Sequence, residues 1–388
     1  MDAAERLDPA HALETMSREA LAALERKSLR RRLEGTGRAR PNAAERGGRE
    51  LISFSCNDYL NLSHHPDVCR AAIRAIETYG AGAGASRLVT GNHPLYRALE
   101  TRLARMKGTE AATVFGSGYL ANIGIIPALI GKDDLIVMDE LAHACMHAGA
   151  RLSRAKVTVF RHNDADACRE ILASRRAKHG RCLLLTERVF SMDGDVAPVD
   201  RLAELAREFD AWLMTDDAHG FGVLDAGDPS HAKDVPLQMG TLSKSVGAYG
   251  GYLCAAESVI ELIRNRARSF IYTTGLPPSV VASADAALAI MERDADLIAK
   301  PLAKARLFTS LLNLPPAQSS IVPVILGEEN KALAASEALR AQGFLVIAIR
   351  PPTVPEGTAR LRFTFAAGHE DADIRRLADG VRPFVGSA

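Results

Sequence analysis

The chain has 388 residues, 47% hydrophobic and 24% charged, which matches a globular protein of about two domains and excludes global disorder. Lysine plus arginine (48) balances aspartate plus glutamate (47), and a net charge of +1 offers no electrostatic footprint for nucleic acid or a membrane surface. No apolar run approaches the ~20 residues of a membrane span.

Residues 1–35 read as an amphipathic helix with Leu13, Leu21, Leu24 and Leu29 roughly in phase. Glu5, Asp8, Glu14, Glu19 and Glu25 argue against a signal or transit peptide, and the six scattered cysteines point to a reducing, cytoplasmic compartment as the expectation. A basic cluster, Arg26, Lys27, Arg30, Arg31 and Arg32, follows, and the polar stretch 35–48 reads as a linker or loop. From about residue 50, short apolar runs alternate with helical stretches. Strands are expected at 112–115, 135–139, 157–160, 182–187, 212–216, 238–241 and 251–255, with helices at 93–107, 119–130, 142–153, 164–177 and 199–209. Strands apolar along their length and separated by helices imply a mostly parallel sheet covered on both faces. Helices at 279–293 and 300–312, strands near 319–326, 344–349 and 359–364, and a closing helix over 370–384 make a smaller α+β region. The expected division is 1–48 (helix and linker), 49–280 (large domain) and 281–388 (small domain). The six cysteines, at 56, 69, 145, 168, 182 and 254, form no CxxC pair and read as reduced thiols.

In sheets of this kind, ligand groups gather beyond the carboxyl ends of the strands. Three strand ends are unusual. WLMTDDAHG (212–220) ends an apolar strand in Asp216, with His219 three residues on; the acid suits a helix cap or a cation partner. GTLSKSVG (240–247) sets Lys244 among hydroxyls and glycines, where a dry amine can form a Schiff base, although the Walker order is absent. FGSGYLAN (115–122) lies between a strand and a helix, an anion site; Gly116, Gly118 and Ala121 also fit a GxGxxA dinucleotide pattern, with Asp139 following 21 residues after Gly118. A nicotinamide or flavin reading gives the other two strand ends no role. His143 and His147 lie four apart, but position 144 is Ala144 and no third ligand is evident, so no metal is expected. Together, a lone lysine, an aspartate 28 residues before it and a glycine-rich helix start are the parts of a pyridoxal phosphate site.

With those parts in order, the sequence resembles the α-oxoamine synthases, which are fold-type I, aminotransferase-like pyridoxal phosphate enzymes. The likeness runs from about residue 29 to the C-terminus. It is carried by FSCNDYL (54–60), SRLVTG (86–91), VFSMDGD (189–195), DDAHG (216–220) and RPPTVPEGTARLR (350–362). The alanines of GAGAGAS (80–86) depart from the family pattern. The resemblance implies Lys244 as Schiff-base lysine and acid/base, Asp216 at the pyridine nitrogen, His219 at the cofactor's phenolic oxygen and His143 stacked on the ring. It implies further cofactor contacts from Gly118, Tyr119, Ser191 and Thr241, with Thr273 or Thr274 reaching a phosphate across a homodimer interface. Asn57, His143 and Arg362 would hold the amino acid, and Arg30 and Thr353 the acyl donor. Arg360 and Arg362 share a strand face, and Arg30 to Arg32 are adjacent, so the residues themselves leave both choices open. The implied reaction is a decarboxylative condensation of L-alanine with a pimeloyl thioester, on coenzyme A or an acyl carrier protein, within biotin biosynthesis. A glycine-using sister activity and a non-catalytic cofactor-binding module are the alternatives.

Overall fold

The computed structural model describes residues 9–225 and 234–385. The chain starts with helix α1 (Pro9–Arg26); the first eight residues of the expected N-terminal helix lie outside the described residues. Leu29 falls beyond the helix end. The linker expected over 35–48 in fact closes a hairpin, β1 (Ala43–Arg46) and β2 (Arg49–Ser53). Gly47 and Gly48 both have positive φ, at 56° and 75°, which a two-residue hairpin turn of the primed type requires. Helices α2 (Pro66–Tyr79) and α3 (Leu95–Lys107) lead into the main sheet.

That sheet is built from β3 (Ala111–Phe115), β4 (Leu135–Asp139), β5 (Lys156–Phe160), β6 (Cys182–Glu187), β7 (Trp212–Asp216), β8 (Leu237–Thr241) and β9 (Gly251–Ala255). The strand order is β3-β9-β8-β7-β6-β4-β5, with β9 antiparallel to both neighbours and every other pair parallel. The strands are continuously apolar because helices cover both faces. Between them run α4 (Gly118–Leu129), α5 (Ala144–Ser153), α6 (Ala165–Arg175) and α7 (Val199–Glu208). Helix α4 runs through Pro127; the proline lacks an N–H, yet Ile125, Ile126 and Leu129 stay buried in the core beneath the sheet.

After β9 come α8 (Glu257–Arg266), the short α9 (Arg268–Ile271), α10 (Pro278–Arg293) and α11 (Ala295–Leu311). Helix α10 packs against α2 and α3. Helix α11 starts five residues ahead of expectation, because Asp294 caps it by accepting from the Leu297 N–H at 2.8 Å. The C-terminal region holds β10 (Ile321–Gly327), α12 (Glu329–Ala341), β11 (Phe344–Leu345), β12 (Ile347–Ile349), β13 (Ala359–Thr364) and α13 (Asp371–Val381). The one strand expected over 344–349 is two. β11 joins β2 in parallel, while β12 pairs antiparallel with β13, which in turn pairs with β10. The Ser55 hydroxyl bridges the break, accepting from the Ile347 N–H at 3.0 Å and donating to the Leu345 carbonyl at 3.4 Å. Phe54, just past β2, is buried among Phe308, Phe344, Phe363 and Phe365, which ties the N-terminal hairpin to the C-terminal core.

Candidate active site

The carboxyl ends of β4, β6, β7 and β8 and the start of α4 lie along one edge of the sheet, where the topology concentrates function. Asp216 ends β7 and is buried. Its Oδ1 accepts the Ala218 N–H at 3.0 Å, and its Oδ2 accepts Asn122 Nδ2 at 2.8 Å from one turn inside α4. Asp217, the next residue, makes an ion pair with Lys107 Nζ at 2.5 Å instead. Two adjacent acids thus have separate tasks because consecutive strand residues face opposite ways.

Lys244 follows β8 in the loop closed by Gly250. Its Nζ lies 2.7 Å from His219 Nε2, and His219 Nδ1 lies 2.7 Å from Tyr59 Oη. Tyr59 donates its hydroxyl proton to Asn57 Oδ1 at 3.1 Å, which Arg362 Nη1 also reaches at 3.2 Å. One proton arrangement satisfies this chain: His219 is neutral, donates from Nδ1 to Tyr59 and accepts at Nε2 from Lys244. Burial, with the Lys244 charge beside it, holds His219 well below the usual histidine range. Burial also pulls the Lys244 ammonium down to about 8, against the opposing charge of Asp216, and pushes the Tyr59 phenol up to about 12.

Glu187 ends β6 directly opposite Asp216 in the parallel register and is buried. Burial, and then the Asp216 charge, raise its carboxyl well above the usual range. His143 caps α5, accepting the Cys145 N–H on Nδ1 at 3.2 Å, with Cys145 Sγ 2.8 Å from the same nitrogen. At α4, Ser117 caps the helix through the Leu120 N–H at 3.1 Å, Gly118 follows with no side chain, and Tyr119 stands exposed. A Cβ on Gly251 would fall 2.4 Å from the Ser117 carbonyl, so only glycine lets β9 pass this close to the helix start. Thr241 donates to the Gly250 carbonyl at 2.7 Å and meets Ser243 Oγ at 2.6 Å; its hydroxyl braces the loop, and the exposed hydroxyl is that of Ser243.

The two arginines of β13 separate. Arg360 is bound to Asp193 at 2.6 Å and to the Met192 carbonyl at 3.2 Å. Arg362 donates from Nε to the carbonyl of Ser191, and its Nη2 is buried without a partner. The Ser191 backbone therefore orients Arg362. Arg30 faces Glu25 at 3.2 Å, and it is Arg31 that donates to Thr353 Oγ1, at 3.0 Å. Thr274 is exposed and bridges to Ser86, far along the chain. Asn122, Tyr59, Glu187 and Cys145 lie at the site and carry no role in the sequence reading, whereas Ser243 is one of the hydroxyls flanking Lys244 noted there. Asn122 had a local signal, lying four residues after Gly118 on the same helix face. Tyr59, Glu187 and Cys145 depend on contacts between distant segments.

The set fits pyridoxal phosphate. A helix start with adjacent hydroxyls suits the phosphate, a buried carboxylate suits a protonated ring nitrogen, and a dry amine suits the aldehyde. The orphaned Arg362 Nη2 marks room for an anionic group beside them. Among the described residues, no group of three His, Cys, Asp or Glu side chains could hold a metal ion, and no helix is long and apolar enough to cross a membrane.

Comparison with known proteins points to the same cofactor. Residues 49–381 match the family described as aminotransferase class I and II. The chain is 59% identical, over 97% of its length and 98% of the relative's, to a protein of Beijerinckia indica named 8-amino-7-oxononanoate synthase. Among solved structures, Sphingomonas wittichii serine palmitoyltransferase superposes with a TM-score of 0.89 at 30% identity, covering 97% of this chain and 98% of that one. A serine palmitoyltransferase variant from S. paucimobilis, with a bound pyridoxal phosphate–myriocin aldimine, does so with a TM-score of 0.87 at 28% identity over the same shares.

Proposed function

The chain belongs to the class I and II aminotransferase family, as a pyridoxal phosphate-dependent acyltransferase with 8-amino-7-oxononanoate synthase activity, and we propose that it joins L-alanine to a pimeloyl thioester for biotin synthesis. In the net reaction, the alanine α-carbon bonds the acyl carbon, the thiol and carbon dioxide leave, and 8-amino-7-oxononanoate results. The acyl carrier is coenzyme A or an acyl carrier protein. The observation that carries the reading is a lysine with its amine pulled down to about 8, one strand away from a buried aspartate clamped by two N–H donors.

Bound pyridoxal phosphate supplies the electron sink for charge at the alanine α-carbon. The residues do the rest. Lys244 removes and returns the proton at that carbon, a task for which an amine near neutrality is suited. Asp216 holds the ring nitrogen's proton in place, and His219 supports the phenolic oxygen. His143 covers the ring face. Gly118, Tyr119, Ser191, Thr241 and Ser243 line the cofactor's edge and phosphate end. Arg362, its guanidinium oriented by the Ser191 carbonyl, offers Nη2 to the alanine carboxylate, with Asn57 beside it. Thr353 and the Arg30–Arg31 pair meet the acyl donor.

The working unit of this reading is a homodimer in the cytoplasm, with Thr274 supplied to the phosphate of the neighbouring subunit's site. Exposed Leu88, Val89 and Tyr272 flank the Ser86–Thr274 bridge, an apolar surface of the kind that subunit contacts cover. The test is thiol release from pimeloyl-CoA with alanine or glycine as acceptor. Alanine-dependent release with 8-amino-7-oxononanoate as product is expected. Turnover with glycine and not with alanine would replace this reading with that of a glycine-using enzyme.

A further inference from the structure

Asp216 sits in a dry site beside Glu187, and something must hold its carboxylate in a fixed place and orientation. Ala218 satisfies Oδ1 from the aspartate's own turn. Oδ2 is satisfied from another element, by Asn122 Nδ2 at 2.8 Å, and Asn122 is fully buried. An amide carries two N–H bonds. The second points to sulfur: Cys145 Sγ lies 3.1 Å from Asn122 Nδ2, and Met239 Sδ lies 3.5 Å away. Asn122 Oδ1 has no partner, so no acceptor-side bond competes for the orientation of the amide. Both N–H bonds are thus directed, one to the carboxylate and one to the thiol side. The Cys145 sulfur is in turn 2.8 Å from His143 Nδ1, so one line of contacts runs from the ring-facing histidine through Cys145 and Asn122 to Asp216.

The elements make this line rigid. Asn122 lies one turn into α4, whose first turn is capped by Ser117; Cys145 lies in the first turn of α5, capped by His143. The two helices pack so closely that a Cβ on Gly149 would meet the Asn122 carbonyl at 2.8 Å. Burial pushes the Cys145 thiol up to about 12, so the sulfur keeps its proton and accepts from Asn122 as a neutral group.

We infer that Asn122 is a positioning residue for the reaction: it fixes the Asp216 carboxylate through Oδ2, and Cys145 fixes the rotation of the Asn122 amide. The inference rests on the reading that Asp216 meets the cofactor's ring nitrogen. Losing one hydrogen bond to a charged group is worth roughly a tenfold to hundredfold change in rate.

The test loads the holoenzyme with pyridoxal phosphate labelled with nitrogen-15 in the ring and records the ring-nitrogen shift, kcat and the KM for alanine. Variants are Asn122→Ala, Cys145→Ala and Cys145→Ser, with Asp216→Asn as the control. Asn122→Ala is expected to move the ring-nitrogen resonance toward the unprotonated position and to lower kcat about ten- to a hundredfold, with KM changed less than about threefold. Cys145→Ala should shift both readouts the same way by less, and Cys145→Ser should restore them. An unmoved resonance in Asn122→Ala overturns the inference, even if kcat falls, because a merely structural loss leaves the ring nitrogen alone. Should Asn122→Ala not fold, equal resonances in wild type and Cys145→Ala overturn it. If the Asp216→Asn control leaves the resonance in place, the pyridine reading itself fails and takes this inference with it.

Discussion

Lys244 is a poor base in water and a useful one here because burial disfavours its charge. Its pKa of about 8 lies below the free-lysine value, so the folded protein has more neutral amine at a given pH than the unfolded chain. In cofactor-free protein, the rate at which Lys244 reacts with an amine-directed acylating reagent should rise through pH 8 and level off by about pH 9.5. A rate still climbing at pH 10 would mean an ordinary, solvated lysine. Lys244→Ala should abolish the borohydride-fixable link between chain and cofactor, read as the loss of the added mass, and all turnover, while leaving the circular dichroism spectrum unchanged. Asp216→Asn keeps the shape and removes the charge; a loss of several orders of magnitude in kcat is expected. Retention of more than roughly a tenth of the rate, about 1.4 kcal/mol, would count against contact between this residue and the ring nitrogen.

Between elements, His162 links the end of β4 to the segment that orients Arg362. Its Nδ1 meets Asp139 at 3.0 Å and its Nε2 meets Asp195 at 2.7 Å, and the ring packs edge-on to Phe190. Burial would lower the histidine, but hydrogen bonds and charge from the two aspartates outweigh it and raise it to about 10. A raised folded-state pKa means that the stabilisation is complete below the unfolded value near 6.5 and disappears as the pH climbs through about 10. His162→Gln should therefore cost about 1–3 kcal/mol at pH 6.5, and the gap to wild type should narrow toward pH 10. Urea midpoints at the two pH values measure it; a gap that does not change with pH would show that the histidine is not charged in the folded state.

At the scale of the whole molecule, the exposed apolar surfaces need explaining. The leucine stripe of α1 is uncovered, with Leu13 62% exposed, and elsewhere Leu88, Val89 and Tyr272 are exposed beside the Ser86–Thr274 bridge. A two-fold dimer that shares its sites would cover such surface. Mixing is the decisive experiment. A Lys244→Ala chain and a Thr273→Ala, Thr274→Ala chain, each with activity lost or strongly reduced, should regain activity on subunit exchange, because one site of each heterodimer then carries Lys244 and both threonines. A monomer in sedimentation, or proven exchange without regained activity, would rule out a shared site.

The main sheet was legible in the sequence because its strands are buried on both faces and read as unbroken apolar runs bounded by helices. Lys244 and Asp216 were legible because their chemistry is rare at strand ends and their order along the chain is preserved by the fold. Helices α2, α8 and α12 fell outside the expected elements, although α2 and α12 are longer than the expected α5 and α7; each buries only two or three residues, so its apolar face is narrow against a mostly charged or small-residue sequence. The division of 344–349 between two sheets depends on β11 finding β2, almost 300 residues away, while β12 pairs with the nearby β13; the β1–β2 hairpin is local, but its short polar strands carry little apolar pattern. Arg360 and Arg362 share a face by strand periodicity; only the loop crossing β13, with Asp193 under one and the Ser191 carbonyl under the other, assigns one to an ion pair and leaves the other a free nitrogen. What could be read from the chain alone was the run of main-sheet strands, most of the helices between them and the groups able to do chemistry, because strand and helix periodicity and side-chain chemistry are local properties. The tertiary structure alone decided which of those groups meet and how their charge is tuned, because hydrogen-bond partners and burial arise between segments with no sequence proximity.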